Sequence, residues 1–475
     1  MSIENQDIPS SSNSPPILEE PQFQNIVHEV EFEGEVLVID STNWRNSTLL
    51  KLQILSGFSV FILFGLAEQT LGTLLPKLQD YYKINDLHIS FVFLVSTSGY
   101  LTLAAINNIT HDALGIRGVA ILGSVAMTIC YLVVSTKPPF ISLLLVYFLN
   151  GIGFGSLDAS LNTWMGNLHD SNQLLGILHG CYGIGSLVSP SLITYLLERK
   201  KNPWHWNDYY IILAIVGGFN IIIIAYLFRY ETPKKYKYTS IMKHQKETIQ
   251  LSNLKDDDQI TETEIEIPHN ASIKEALKSK IVWAFSLILF IYVGGEMSTG
   301  QWLVSYYLRI KDWTYKSSSH LSTTFWTGLT VGRILLGFAT VHFFNNELTA
   351  NLIYILTSFI GSFAFWLLTY TNVVIPIFIL MFFLGCVVGP IFPTTIVASV
   401  NVLPAKYQTI GVGFICAFGG AGAAGIPFLV GLIAESSDSG LKMFPIFVMI
   451  IFGILLIMWA FITKYYSKSY KVNRL

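Results

Sequence analysis

Residues 55–78 read "LSGFSVFILFGLAEQTLGTLLPKL", and this stretch is apolar enough to cross a bilayer although it contains one carboxyl, Glu68. A helix needs about 20 mostly apolar residues to span the hydrocarbon core of a membrane. A charged side chain at that depth is costly, so such residues face a bundle interior or a wet cavity and mark candidate functional sites. The stretch therefore predicts a transmembrane helix whose carboxyl serves a polar pathway.

Apolar segments of this kind recur along the whole chain. Of its 475 residues, 52% are hydrophobic and 13% are charged, whereas soluble domains carry about 25% charged residues. Twelve segments have the length of a spanning helix, and the polar stretch 229–280 separates six from six. The segments are 52–76, 88–109, 118–135, 140–165, 174–197, 209–228, 281–306, 320–343, 350–370, 374–398, 409–434 and 441–463. The sequence predicts an all-α membrane protein with twelve transmembrane helices.

The second six segments repeat the first six. "GLAEQTLG" around Glu68 aligns with "VGGEMSTG" around Glu296, and "LNGIGFGSLDA" in the fourth segment aligns with "FLGCVVGPIFP" in the tenth. The second and eighth segments align through Gly99 and Gly332, and the fifth and eleventh through Gly185 and Gly420. The offset between matched residues stays between 228 and 235. Parallel repeats occur in transporters, with the ligand site near the midplane between them. The predicted fold is therefore two six-helix parallel repeats.

The segments also set domain boundaries and orientation. We predict a disordered acidic tail over 1–50, an N-terminal half over 51–228, a linker over 229–280, a C-terminal half over 281–464 and a tail over 465–475. Both tails and the linker share one side, which holds 18 of the 29 Lys and Arg residues and is therefore predicted to be cytoplasmic. The acidic start does not resemble a signal peptide. The plasma membrane and vacuolar or other internal membranes both stay open.

Composition argues against several classes of function. The net charge of −2 disfavours nucleic acid as a partner. The four cysteines lie in apolar segments without a CxxC pair, so we expect no metal site and no disulfide framework. No Walker A loop is present, which disfavours transport driven by ATP, and no cofactor is expected. The expected partners are membrane lipid, a small solute and protons, and the expected state is a monomer.

Two local motifs, together with the twelve predicted spans, resemble the major facilitator superfamily. "NNITHDALGIRG", after the second segment, is similar to the loop motif G-x-x-x-D-R-x-G-R-R of that superfamily. Asp112, Gly115 and Arg117 occupy its Asp, Gly and final basic positions, whereas Asn108 replaces its first Gly. "GLTVGRILLG" in the eighth segment contains the Gly-Arg pair, here with Arg333, that such transporters often show.

A closer resemblance is to the fucose-permease-like branch and its fungal relatives of the bypass-of-stop-codon type. "GFGSLDASLNTW" resembles the G-x-G-x-L-E-x-x-x-N segment of that branch, with Asp158 on the acidic position and Asn162 on the Asn position. Bacterial members carry an Asp where this chain has Gly72, one helical turn from Glu68. The resemblance implies a secondary transporter that moves a small polar solute, with sugar the leading candidate, by proton-coupled alternating access.

Candidate functional residues follow from these observations. A carboxyl whose exposure alternates between two sides of a membrane can load and release a proton, and we assign this role to Glu68 and Asp158. Candidates for the substrate cavity are Gln69, Asn162, Tyr292, Glu296, Gln301, Trp302, Trp326 and Arg333. Structural or gating candidates are Asp112, Gly115, Arg117, His179, Gly185, Pro190, Gly389, Pro390 and Pro427.

Alternatives stay open for several of these residues and for the function. Glu296 and Arg333 form either a structural ion pair between the seventh and eighth segments or a solute or proton contact. Asp158 either handles protons or makes a helix–helix hydrogen bond, for which His179 is the candidate partner. The aromatic candidates are alternatively packing residues. A transporter-like nutrient sensor is the second functional hypothesis, and a membrane-embedded enzyme built on Asp158 and His179 is the third, although no nucleophile constellation supports it.

Overall fold

The structure is a computed structural model that describes residues 28–39, 43–239, 241–242, 278–371, 373–403, 405–436 and 440–466. Most of this part of the chain is helical. The helices are α1 Thr48–Tyr82, α2 Asp86–Ser135, α3 Phe140–Gly166, α4 Ser171–Leu197, α5 Tyr209–Leu227, α6 Lys280–Ile310, α7 Tyr315–Phe343, α8 Glu347–Leu368, α9 Ile375–Val388, α10 Ile391–Val402, α11 Ala405–Ser436 and α12 Phe444–Tyr466. Short 3-10 turns at Trp44–Asn46 and Leu441–Met443 precede α1 and α12.

Helix labels and membrane crossings do not correspond one to one. Within the described residues, eleven helical segments are long and apolar enough to cross a membrane. Helix α2 contributes two of them and bends at Gly115, where the backbone leaves helical geometry with a φ of 65°. Helices α9 and α10 together make one crossing, with Gly389 and Pro390 at their junction. Helix α7, which contains Arg333, is less apolar and supplies the twelfth crossing. An even number of crossings puts both termini and the linker on one side, which we name the inner side; the opposite side is the outer side.

Glycines that align in the sequence repeat perform the same packing task in each half. A Cβ on Gly99 of α2 would lie 2.1 Å from the carbonyl oxygen of Phe148 on α3. A Cβ on Gly332 of α7 would lie 1.9 Å from the carbonyl oxygen of Cys386 on α9. Small residues let membrane helices approach at backbone distance, which neither site would allow with a side chain. The predicted repeat is thus visible as a repeated helix contact.

Adding one methyl group to such a contact is expected to destabilise the protein. In Gly151→Ala the new Cβ would lie 1.7 Å from the carbonyl oxygen of Ser96, so α2 and α3 must separate. Overpacking of this kind costs about 1–3 kcal/mol. The matched control is Gly218→Ala on α5, where a Cβ meets nothing within 4 Å and helix propensity improves equally. Thermal unfolding in detergent should show a lower Tm for Gly151→Ala only; equal Tm values would contradict the packing assignment.

A β-hairpin precedes the first helix, on the inner side. Strands His28–Phe32 (β1) and Glu35–Ile39 (β2) pair antiparallel. Glu33 and Gly34 form the turn with φ values of 50° and 75°, as a two-residue hairpin turn of type I′ requires. The prediction of a disordered tail over 1–50 misses this hairpin because it followed the acidic composition. The glutamates in fact alternate with Val30, Phe32 and Val36 at the two-residue period of a strand.

The remaining parts of the predicted tails and linker are only partly described. Residues 1–27 and 40–42 of the N-terminal tail and residues 467–475 of the C-terminal tail lie outside the described residues. The linker opens with a helical stretch over 233–239, whereas residues 243–277 lie outside the described residues. The predicted boundaries of the tails and linker therefore stay predictions.

Candidate functional site

The two halves are joined by an ion pair at their outer ends. Asp86 begins α2, and its carboxylate accepts from the Arg309 guanidinium near the end of α6 at 2.5 and 3.0 Å. The Asp86 side chain is 4% exposed and also accepts from Gln79 Nε2 at 2.6 Å. A bidentate pair between a buried carboxylate and a guanidinium is among the strong polar contacts of proteins. We name Asp86 and Arg309 the outer latch.

Other contacts between the halves lie on the same side of the membrane. The Tyr315 hydroxyl of α7 donates to the carbonyl oxygen of Thr73 on α1 at 2.8 Å. Ser191 Oγ of α4 lies 3.1 Å from His320 Nδ1 and 2.9 Å from Thr323 Oγ1 of α7. These residues belong to the outer thirds of their helices, so the outer side is closed by direct contact.

Towards the inner side the contacts between halves continue as far as the middle of the helices. A Cβ on Gly420 of α11 would lie 3.0 Å from the Tyr100 ring of α2, and a Cβ on Gly183 of α4 would lie 2.5 Å from Thr330 Oγ1 of α7. Beyond Tyr100 the helix α2 is exposed on most of its faces, since only Leu103 is buried within residues 101–106. Among the described residues, the contacts between the halves thus run from the outer ends of the helices to their middle.

Glu68 lies at the seam between the halves. The Tyr182 hydroxyl of α4 donates to Glu68 Oε2 at 2.7 Å. Gln301 Nε2, from α6 of the other half, donates to the backbone carbonyl of Glu68 at 3.0 Å. Gly72 permits this approach, because a Cβ there would lie 2.2 Å from Gln301 Oε1. The neighbouring Gln69 is buried, and within the described part of the chain neither atom of its amide has a hydrogen-bond partner.

Asp158 also meets a tyrosine hydroxyl, which differs from the partner that the sequence suggested. The Tyr100 hydroxyl donates to Asp158 Oδ2 at 3.2 Å, and Asn162 Nδ2 donates to Oδ1 at 2.8 Å. The proposed partner His179 instead presents its ring edge-on to Phe61 with centroids 5.4 Å apart. Asp158 therefore makes a helix–helix hydrogen bond to Tyr100, and His179 is the wrong partner. Sequence spacing does not show which helix lies opposite Asp158.

Glu296 and Arg333 form the ion pair that the sequence offered as one alternative. Arg333 donates to Glu296 Oε1 at 2.6 Å, with side chains 18% and 4% exposed. Tyr292 donates to Glu296 Oε2 at 2.5 Å and also reaches the carbonyl oxygen of Val388 at 2.9 Å. Arg333 Nε donates to the carbonyl oxygen of Gly389 at 3.3 Å. The pair therefore ties α6 and α7 to the junction of α9 and α10.

The two tryptophan candidates are placed in the packed interior. Trp302 is fully buried, and its Nε1 donates to the carbonyl oxygen of Pro427 within α11 at 3.0 Å. Trp326 is fully buried against Gly300, where a Cβ would lie 2.4 Å from the ring. Both side chains support the helices that carry the polar groups.

The gating candidates divide between helix contacts and the inner bend of α2. Gly185 of α4 packs against α1, with a Cβ position 2.2 Å from the carbonyl oxygen of Ile62, and Pro190 lies five residues further along α4. At the bend, Arg117 donates its backbone N–H to the carbonyl oxygen of Glu231 at 3.3 Å, whereas Asp112 is exposed. Of the three matched motif residues, Gly115 and Arg117 thus meet the start of the linker through their backbone.

Sequence reasoning missed the tyrosines and the outer latch. Tyr100 and Tyr182 give no sequence signal because aromatic residues are frequent in membrane helices in any case. Asp86 and Arg309 fall at segment ends, where charged residues ordinarily face water. The pairing of Asp86 with Arg309 arises only when the halves dock.

Comparisons with known proteins agree with this architecture. The family model described as Major Facilitator Superfamily matches residues 57–424. The chain is 31% identical to Bypass of stop codon protein 6 of Saccharomyces cerevisiae, over 94% of this chain and 89% of that protein. It is 21% identical to the glucose/mannose transporter GlcP of Bacillus subtilis, over 81% of this chain and 88% of that protein.

Solved structures of transporters share the fold. A D-xylose-proton symporter superposes with a TM-score of 0.67 at 12% identity, covering 87% of this chain and 98% of that chain. A bacterial homologue of the human lysosomal transporter Spinster superposes with a TM-score of 0.65 at 11% identity, covering 89% of this chain and 98% of that chain. The predicted twelve-helix, two-repeat fold is confirmed, and this fold is one of transporters, not of enzymes. The chain is a multi-pass integral membrane protein and belongs to the Major Facilitator Superfamily.

Proposed function

We propose that the protein is a secondary active transporter that moves a small polar solute by alternating access, coupled to protons through Glu68 and Asp158. The observation that carries the proposal is the position of these carboxyls on the seam of the two halves. Glu68 accepts through its backbone from Gln301 of the other half, and Asp158 accepts from Tyr100, whose ring contacts Gly420 of the other half. Rocking of the halves would therefore change the surroundings of both carboxyls.

The state of the molecule supports the same mechanism. The halves touch from the outer ends of their helices to the middle, so the carboxyls lie near the inner limit of the contact between halves. In the opposite state the latch would be broken and the inner ends would meet. Alternation of this kind lets a carboxyl exchange its proton with one side and then with the other. We propose that the inner side is the cytoplasm.

Uncharged hydrogen-bonding groups indicate the class of solute. Gln69, Gln301 and Asn162 offer amide donors and acceptors, and both amide atoms of Gln69 lack a protein partner among the described residues. Such groups suit a solute rich in hydroxyls, and we propose a sugar or similar polyol. The names of the similar glucose/mannose transporter and D-xylose-proton symporter support this class for those proteins and motivate it here.

Uptake into proteoliposomes tests the transport proposal. Purified full-length protein is reconstituted, and neutral sugars, polyols and amino acids are offered as radiolabelled solutes, with empty liposomes as the control. We expect uptake of at least one polyhydroxylated solute above the control. A transporter-like sensor would bind a solute, seen as a rise in thermal stability, without any flux. That result would replace transport by sensing as the function.

Breaking the outer latch should shift the balance of the two states. Arg309→Gln leaves the buried carboxylate of Asp86 without its cation. Because the two residues meet only while the outer side is closed, the change destabilises that state and not the other. Hydrogen bonds to charged groups contribute about 1.5–3 kcal/mol, so the ratio of outward-open to inward-open molecules should rise by about tenfold or more.

The reactivity of a cysteine measures this shift. In Arg309→Gln, a single cysteine at Thr323, in a background without native cysteines, should react faster with a membrane-impermeant maleimide added from the outer side. The control is Lys311→Gln, since within the described part of the chain Lys311 donates to Thr369 of its own half. Equal rates in both variants would contradict the latch.

A further inference from the structure

The inner side carries two small structured segments that the transport pathway does not use. One is the hairpin of β1 and β2, residues 28–39, and the other is the helical stretch 233–239 at the start of the linker. They are opposite in charge. The hairpin has glutamates at four alternate positions, and the linker helix has three lysines: Glu29, Glu31, Glu33, Glu35, Lys234, Lys235 and Lys237.

The hairpin docks on the linker helix through charges and one aromatic pair. Lys234 Nζ lies 3.3 Å from a Glu35 carboxylate oxygen and donates to the backbone carbonyl of Glu33 at 3.1 Å. Lys237 pairs with the Glu33 carboxylate. The ring of Phe32 in β1 packs edge-on against Tyr238 with centroids 5.4 Å apart. The two segments, about 200 residues apart in sequence, thus form one contact surface.

The linker helix is held in turn by the bend of α2. Glu231 and Lys235 form a buried ion pair of 2.7 Å just before and within the linker helix, and Arg117 donates its backbone N–H to the carbonyl oxygen of Glu231. Gly115 has a positive φ, and its lack of a side chain lets Pro233 approach closely, since a Cβ on Gly115 would lie 2.7 Å from the Pro233 nitrogen. This second contact is buried and specific.

The two contacts differ in how readily they can open. The ion pairs of the hairpin are exposed, with side chains 39% exposed for both Lys234 and Glu35 and 57% and 45% exposed for Lys237 and Glu33. Exposed ion pairs are weak and are screened by salt. An isolated two-stranded hairpin is only marginally stable in water. Folding of residues 28–39 is therefore coupled to docking, and both are reversible.

We propose that residues 28–39 are an electrostatic clamp that docks on residues 233–239, holds the start of the linker on the bend of α2, and regulates the movement of the inner end of α2. The first crossing of α2 faces α11 of the other half, and its inner end must approach α11 when the inner side closes. The docked clamp restrains that approach. Release of the clamp, by salt or by a change in charge, favours closure of the inner side.

Hydrogen–deuterium exchange of the full-length protein in detergent tests docking. Peptides covering residues 28–39 should exchange severalfold faster in the charge reversal Glu33→Lys/Glu35→Lys and in the reversal Lys234→Glu/Lys237→Glu. The variant that combines all four changes restores opposite charges and should return exchange to the slow rate. High salt should accelerate exchange in the wild type. Unchanged exchange in the reversals, or no recovery in the combined variant, would overturn the clamp.

A control separates paired charge from total charge. Glu29→Lys/Glu31→Lys changes the net charge of the hairpin equally, but these exposed side chains are not paired with the linker lysines. Residues 28–39 of this variant should exchange hydrogen at a rate close to that of the wild type. Acceleration equal to that of Glu33→Lys/Glu35→Lys would show that bulk charge, and no specific clamp, governs the hairpin.

The regulatory part is tested by accessibility and needs no solute flux. Ala104 lies one turn from Tyr100 on the same face of α2, which is the face towards α11. A cysteine at Ala104, in a background without native cysteines, should react severalfold more slowly with maleimide in each double reversal, because the inner side closes more often. The combined variant should recover the wild-type rate. Equal rates in all backgrounds would overturn regulation of α2, whether or not the protein transports a solute.

Discussion

Glu68→Gln is expected to abolish uphill accumulation of solute while leaving downhill exchange intact. Glutamine keeps the shape of the side chain and an oxygen that accepts from the Tyr182 hydroxyl, but it cannot load or release a proton. One pH unit corresponds to about 1.36 kcal/mol, so the wild type should accumulate solute about tenfold for each proton moved across a gradient of one unit. The variant should stop at equal concentrations inside and outside.

The comparison needs a carboxyl that is exposed to solvent at the end of a helix. Glu198→Gln, at the exposed outer end of α4, removes the same kind of charge and should accumulate solute as the wild type does. Counterflow with equal solute on both sides checks that Glu68→Gln still folds and exchanges. Accumulation by Glu68→Gln equal to that of the wild type would remove this residue from proton coupling.

Arg333→Met is expected to cause the largest loss of stability. The change leaves the Glu296 carboxylate buried without its cation and takes a donor from the Gly389 carbonyl. Removing one partner of a buried ion pair costs about 3–5 kcal/mol. Thermal unfolding in detergent should show a strongly lowered Tm and a reduced folded fraction.

A double variant distinguishes a broken pair from lost packing. Glu296→Leu/Arg333→Met replaces both charges by apolar groups, and buried pairs exchanged in this way often regain stability. We expect the double variant to be more stable than Arg333→Met alone. The exposed Arg199→Met, in the loop after α4, should leave the Tm unchanged. A Tm for Arg333→Met equal to that of the wild type would contradict the structural role of the ion pair.

The repeat and the membrane spans could be predicted from the sequence because both follow from local sequence patterns. Apolar length predicts crossings, and the alignment of Gly99 with Gly332 predicts equivalent helix contacts, which the structure confirms through Phe148 and Cys386. The pairing of Glu296 with Arg333 was available as an alternative, because two opposite charges in neighbouring spans have few other ways to be neutralised.

The hydrogen-bond partners of Glu68 and Asp158 could not be predicted from local patterns. Which side chain faces Asp158 depends on helix rotation and depth, and a shift of one residue turns a helix by about 100°. Tyr100 and Tyr182 are therefore found only in three dimensions. The outer latch of Asp86 and Arg309 depends further on the conformational state, since it joins residues of different halves. The hairpin of residues 28–39 was not predicted because its acidic composition is typical of a disordered tail.

Recording proton movement in proteoliposomes shows whether solute and protons move together. A pH-sensitive dye is enclosed in vesicles with full-length protein, and the accepted solute is added outside without any imposed gradient. We expect acidification of the interior that starts with solute entry, is missing in empty liposomes and is lost in Glu68→Gln. Solute entry at the normal rate with no change of internal pH would contradict proton coupling.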